Sequence, residues 1–435
     1  MTLKEHIGKN FVLAVPVMVG QLGHIMVNVA DSMMVGRVGV VPLAGATFAG
    51  AIYVLLLLFG LGVSYAITPL VAAEDPTNKP KLMQYLQDGL VMNAVLGIIL
   101  SIVGFSMSYF LDYFGQDPEV TAQAKPYLRI MSASIVFVMI FQNFRQYAEG
   151  LSDTTSPMIV SVVANLLNIG LNWVFIYGNW GFDPMGLYGA GLATFIARIP
   201  MVFLMIWFVR KKISGFEWHF QWTGMKRMLK IGIPSGMQFI FEVGAFGGAG
   251  IMIGWISPAA QAAHNIALNL SAISYMAATG IAAAASVRIG NQSGLKDKRN
   301  LRLAGFTSFG MAAVFMAFCA IIFIVFRFTF PYFYVQDDEV VGIAATLLII
   351  GAAFQISDGL QAVGLGVLRG LRDVRVPTAV TFIAYWVVAL PLGYLLGFTI
   401  GWGVNGVWIA LSLGLTVAAV LHIWRFNRLS ARLKF

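Results

Sequence analysis

Three carboxylates stand inside long apolar runs of this 435-residue sequence: Asp31, Glu242 and Asp358. Arg198 is the one base placed as clearly within such a run. A carboxylate taken out of water must pair with a base, take up a proton or bind a cation, because desolvation disfavours its ionised form. Each acid has polar company at helical spacing. Gln21, His24, Asn28 and Asp31 are 3, 4 and 3 residues apart, which stacks them on one helix face. Ser235, Gln238 and Glu242 share a face by the same rule, and so do Gln355, Asp358 and Gln361. Two further stripes carry amides without an acid: Asn165, Asn168 and Asn172, and Gln261, Asn265 and Asn269. Acids flanked by amide and hydroxyl oxygens suit a proton or Na⁺ site. The plainer alternative is structural, with amide stripes joining helices and Asp31 resting in water near a helix end.

Other chemistry is scarce. Cys319 is alone, so neither a disulfide nor a thiolate metal site is expected. There is no GxxxxGK[ST] phosphate loop, no HExxH, and no polar segment long enough to house an ATPase. Neither an enzyme nor a cofactor is therefore expected, and any transport must draw on an ion gradient or on the substrate's own gradient. His24 and His264 read as satisfied interior histidines. Gly244, Gly248, Gly250 and Gly254 suit close helix packing, while Pro16 and Pro234 each remove a backbone hydrogen bond and kink a helix.

The elements that must carry these residues follow from composition. Apolar residues make up 59% of the chain and charged residues 11%, against about a quarter charged in soluble domains. A helix crossing the hydrocarbon core needs about 20 mostly apolar residues. Runs of that kind fall at 11–35, 42–72, 86–110, 122–148, 157–178, 186–209, 228–256, 259–288, 302–328, 339–368, 376–400 and 403–424. The ten-residue alternation of a membrane barrel is absent. The reading is an all-α, polytopic membrane protein of twelve transmembrane helices, with no removable leader at its N-terminus.

Lys and Arg orient it. Lys4, Lys9, Lys79, Lys81 and the basic residues of 210–230, 288–302, 369–375 and 425–434 fall on one side. Arg37, Lys125, Arg129 and Arg327 fall on the other, which places both termini in the cytoplasm. The net charge of +9 is thus loop charge and not a nucleic-acid face. The halves also resemble each other. Pro16, Ala44 and Gly62 recur as Pro234, Ala262 and Gly280 at one constant offset. At nearly the same offset GLSDTTSP (150–157) recurs as GLRDVRVP (370–377), and GLYG (186–189) as GVNG (403–406). An even number of helices per repeat relates the two six-helix bundles by a pseudo-twofold axis along the membrane normal. The expected lobes are 1–210 and 229–435, joined by a cytoplasmic loop at 211–228.

The chain resembles the multidrug and toxic compound extrusion (MATE) transporters, and among them the NorM-like branch, over essentially its whole length. The markers are VADSMMVGRVG (29–39), LLNIGLNWVFIYG (166–178), FIFEVGAF (239–246), QAAHNIALN (261–269), ASVRIGNQSG (285–294) and FQISDGLQAVGLGVLRGLRD (354–373). The resemblance implies a monomer in the bacterial inner membrane that exports cationic, amphipathic drugs or toxins in exchange for Na⁺ or H⁺, with Na⁺ preferred. It places a cation site on Glu242 and Asp358, a second site on Asp31, Asn168, Asn172 and Thr194, and helix bending at Pro16. A tyrosine of that family one turn before the second acid is replaced here by Phe354. A lipid-linked-oligosaccharide flippase of the same superfamily is the alternative. It would line its cavity with arginines, for which only Arg198 and Arg129 could serve.

Overall fold

The computed structural model describes residues 1–213, 218 and 220–433, leaving aside the side chain of Lys211. Part of the expected loop at 211–228, and Lys434 of the basic C-terminal run, lie outside the described residues. Twelve helices are long and apolar enough to cross a membrane. In chain order they are α1 (Leu3–Gly36), α2 (Val40–Ala72), α3 (Lys79–Met107), α4 (Pro118–Gly150), α5 (Thr155–Tyr177) and α6 (Gly186–Val209). Then come α7 (Trp222–Gly254), α8 (Pro258–Gly294), α9 (Lys298–Val325), α10 (Asp338–Gly370), α11 (Arg375–Thr399) and α12 (Gly403–Arg432).

All twelve expected spans are present, and several helices outrun the apolar stretch that announced them. α1 begins at Leu3 and not near residue 11, and α7 begins at Trp222 inside the expected loop. Lys, Arg and Glu are good enough helix formers to extend a nucleated helix past its apolar run. Several helices start on a side-chain cap. Asp117, Ser257, Asp297 and Asp337 accept hydrogen bonds from the first free amides of α4, α8, α9 and α10. Each such cap is worth about 1 kcal/mol. Two helices are irregular: α2 breaks at Tyr65 and Ala66, and α11 contains π-helical turns at Ile383–Ala389 and Leu395–Thr399. Pro391 lies between those two turns and has no N–H for the carbonyl one turn back.

The chain divides into two compact units, Val19–Gly236 and Met1–Met18 with Met237–Phe435. This cut differs from the expected lobes, 1–210 and 229–435. The first half of α1 packs in the second unit, where Asn10 donates to Ser308 Oγ at 3.0 Å and His6 meets Asn300 Oδ1 at 3.1 Å. Conversely, the first half of α7 packs in the Val19–Gly236 unit, where a Cβ on Gly62 would come within 2.6 Å of Gly236 Cα. Pro16 and Pro234 sit inside α1 and α7, two residues before the changeover in each. Contacts across helix surfaces, which no loop composition encodes, decide the division.

The repeat is visible at atomic scale in the turns after α4 and α10. Ser152 and Arg372 both take left-handed backbone, with φ of 64° and 62°. Asp153 N then bonds Ala148 O at 2.9 Å, and Asp373 N bonds Leu368 O at 3.0 Å. Each aspartate holds a base: Asp153 pairs with Lys212, and Asp373 with Arg425 at 2.8 Å.

Within the second unit α8 and α10 lie against each other through small residues. A Cβ on Gly366 would collide with Ala282 O, and one on Gly370 would stand 2.8 Å from Ser286 O. These obstacles are backbone atoms, so no side chain can swing aside. Replacing Gly366 by Val should force the two helices apart and cost about 1–3 kcal/mol. A clearly lowered melting temperature of the purified protein in detergent is the expected result; an unchanged one would show that the helices yield freely.

Candidate functional site

The Val19–Gly236 unit gathers the polar residues of α1, α5 and α6. Asp31, near the end of α1, accepts a hydrogen bond from Asn172 Nδ2 at 2.5 Å. Asn168, one turn earlier on α5, has its Nδ2 3.1 Å from Thr194 Oγ1 on α6. Turning that amide points the same nitrogen at Asp31 Oδ1, 3.0 Å away, and leaves its oxygen facing Thr194. All four residues expected in this cluster therefore form one hydrogen-bonded set, with Asn172 fully buried beneath Asp31. Their spacing explains the geometry, since Asn168 and Asn172 stack on one face of α5. Arg198, the mid-helix base, hydrogen-bonds Ser134 Oγ and lies over the Tyr53 ring at 5.4 Å. It is also near enough for its charge to act on Asp31. This unit thus has a base within electrostatic reach of its acid, without a salt bridge between them among the described residues. His24 keeps solvent-accessible surface on α1 although protein atoms surround it.

The second unit arranges its acids differently. Glu242 on α7 and Asp358 on α10 are both buried, and the charge of Glu242 acts directly on Asp358. Tyr275 of α8 hydrogen-bonds Glu242. Ser274, its neighbour, donates to Gln355 Oε1 at 2.8 Å, one turn before Asp358. Among the described residues no salt bridge reaches Glu242 or Asp358. Asp358 Oδ1 is buried without a hydrogen-bond partner, as are both amide atoms of Gln361. Two neighbouring carboxylates with no base between them cannot both stay ionised unless a cation joins them.

Some members of the stripes serve only as glue. Gln238 donates to Thr378 Oγ1 at 3.0 Å and so ties α7 to α11. His264 accepts from Trp408 Nε1 at 3.0 Å, which fits the satisfied interior histidine expected there. Phe354 fills an aromatic layer between Trp408 and Phe246, with ring centroids 5.5 and 6.0 Å away. Three features escaped the sequence reading. Arg145 is buried in a 2.7 Å pair with Glu149, for which the i, i+4 spacing was the available signal. Tyr275 and Tyr385 stand beside the acids of the second unit, but a tyrosine in an apolar run gives no sign of its neighbours.

Twelve spanning helices with buried acids at membrane depth define an integral, multi-pass membrane protein of transporter type. The MatE family model matches residues 16–174 and again 234–395, and both matches begin on one of the paired prolines. The chain is 31% identical to the multidrug resistance protein NorM of Photobacterium profundum, across 95% of this chain and 94% of that protein. A probable NorM of Idiomarina loihiensis is 32% identical across 96% and 93%. MdtK, a multidrug resistance protein of Photorhabdus laumondii subsp. laumondii, is 31% identical across 95% and 94%. The fold is also that of solved MATE structures. The eukaryotic transporter AtDTX14 matches with a TM-score of 0.87 at 21% identity, over 99% of this chain and 98% of that one. A MATE crystallised in a bent conformation matches with a TM-score of 0.90 at 18% identity, over 99% and 96%. The chain belongs to the MATE family, whose members are transporters and not enzymes.

Asp31 offers the sharpest test of the first cluster. Asp31→Asn keeps shape and hydrogen-bonding capacity but leaves the charge of Arg198 unbalanced. Export and drug resistance should fall about tenfold or more at matched protein level, the effect of ~1.4 kcal/mol of lost differential binding. Full export by that variant would reduce the cluster to helix packing.

Proposed function

We propose that this protein is a secondary active multidrug exporter that expels cationic, amphipathic organic compounds in exchange for Na⁺ or H⁺. The observation that carries the reading is the buried pair Glu242 and Asp358, held within one electrostatic field and without a base. Such a pair needs a cation to neutralise it, so its occupancy is tied to an ion gradient. NorM and MdtK relatives, named for multidrug resistance, support the substrate class.

In this mechanism the cation and the drug compete for different conformations. Cation binding between Glu242 and Asp358 removes their mutual repulsion and favours one packing of the second unit. In the first unit Asp31, Asn168, Asn172 and Thr194 bind substrate or a second cation, and drug and ion each bias the conformation they bind better. Alternating access then consists of α1 and α7 bending near Pro16 and Pro234, where each helix leaves one compact unit for the other. Na⁺ is the preferred coupling ion because the donors are hard oxygens: two carboxylates, the Tyr275 hydroxyl and the Gln355 amide. The protein works as a monomer in the bacterial inner membrane with both termini in the cytoplasm, the side on which its Lys and Arg concentrate. The flippase reading is weaker, since Arg198 is already engaged by Ser134 and Tyr53.

Two measurements follow. The double variant Glu242→Gln, Asp358→Asn should insert normally in the membrane yet lose gradient-driven export of a fluorescent organic cation from vesicles. Undiminished export would remove this pair from the mechanism. In wild-type vesicles, an imposed Na⁺ gradient at uniform pH should drive export. Full-rate export in Na⁺-free vesicles under a pH gradient alone would assign the coupling to protons instead.

A further inference from the structure

Tyr385 is fully buried on α11, and its hydroxyl has no hydrogen-bond partner. A phenol in that condition is a cost unless something else uses the oxygen. Its surroundings say what that would be. The charges of Glu242 and Asp358 both reach Tyr385, and Tyr275, which hydrogen-bonds Glu242, lies near enough to interact as well. Asp358 contributes a second orphan, Oδ1, to the same cluster. The Tyr385 ring is held edge-on against Phe246 at 5.8 Å, which fixes where its hydroxyl lies. Tyr385 also falls in the π-helical turn Ile383–Ala389, and such turns give up regular helix bonds in order to re-aim a side chain.

The internal repeat adds an independent argument. On the register of the two prolines, Glu242 in α7 corresponds to His24 in α1. On the register of the two aspartate turns, Tyr385 in α11 corresponds to Asn165 in α5. The same helix pairs meet at the same level in each unit. A Cβ on Gly23 would lie 3.0 Å from Asn165 Nδ2, and its counterpart Phe241 accepts through its carbonyl from Trp386 Nε1 at 2.9 Å. Asn165 Nδ2 is itself buried without a partner. The first and fifth helices of the repeat therefore touch in both units, and each fifth helix carries a buried polar atom without a partner at the matching position.

We propose that Tyr385 is a third member of the Glu242–Asp358 cation site, its otherwise unpartnered hydroxyl oxygen offered to the cation when the site is loaded. The inference rests on the cation-coupling reading above. Phe241, Phe246 and Phe382 surround this region with apolar rings, among which the phenol of Tyr385 brings a polar oxygen from α11. Tyr385 positions and completes the site; Glu242 and Asp358 carry its charge.

Tyr385→Phe removes one oxygen and keeps the ring in place, so membrane level and melting temperature should match wild type. In vesicles, the Na⁺ concentration for half-maximal export at fixed pH, or the proton concentration if H⁺ drives export, should rise about tenfold, equivalent to ~1.4 kcal/mol. The maximal rate should stay close to wild type. A role confined to packing would lower stability without moving the ion dependence, and that outcome would overturn the proposal. Glu242→Gln, run alongside, separates the two claims. If it leaves ion-driven export intact, the acid site and Tyr385 fall together. If it abolishes export while Tyr385→Phe keeps wild-type ion dependence, the acid site stands and only the third member is lost.

Discussion

In hydrocarbon, a polar group must find its partner within the protein, and each feature of this structure answers that demand. Backbone groups are satisfied largely within helices, and five helix starts are closed by the side chains of Asn78, Asp117, Ser257, Asp297 and Asp337. Side chains that enter the apolar region mostly come in matched sets. Arg145 meets Glu149, Trp408 meets His264, and the buried Arg288 lies 2.7 Å from His6 Nδ1. Against that background the groups left without partners carry information. Asp358 Oδ1 and Tyr385 Oη share a cluster around Glu242, and Asn172 Oδ1 lies in the cluster around Asp31. These atoms lie beside the buried acids, where a bound cation or substrate would complete their hydrogen bonding on the proposed function.

Duplication supplied the frame, and divergence supplied the chemistry. Both units keep the proline in the first helix of the repeat, the left-handed turn after the fourth and the aspartate that clasps a base beyond it. The acids of their polar clusters do not correspond. On the repeat register Glu242 faces back to His24, Asp358 to Val138, and Asp31 to Ala249. One unit has Arg198 within electrostatic reach of its acid, while the other sets two acids together with no salt bridge to either among the described residues. A single fold can thus house two polar clusters of different charge, because the backbone is indifferent to which helix face carries the charge.

Much of this was legible in the residues alone. Lipid solvation demands long apolar runs, so twelve spans and their order followed from composition. The 3–4 spacing of Asp31 with its stripe, and of Glu242 and Asp358 with theirs, marked the polar faces, since helical periodicity is written directly in the chain. A repeat survived in scattered prolines, glycines and turn residues because those positions are constrained by backbone geometry. Periodicity names a face but not what the face meets. Only packing revealed that Asn168, Asn172 and Thr194 converge on Asp31 while Gln238, on an equally promising stripe, binds Thr378 as glue. Only packing moved the first turns of α1 and α7 into the opposite units, brought Tyr275 and Tyr385 to the acids, and buried Arg145 beside Glu149. Apart from the i, i+4 pair of Arg145 and Glu149, those outcomes depend on contacts between different helices, or on a π turn that shifts a side chain off the α-helical period. The local pattern of a sequence holds no record of either.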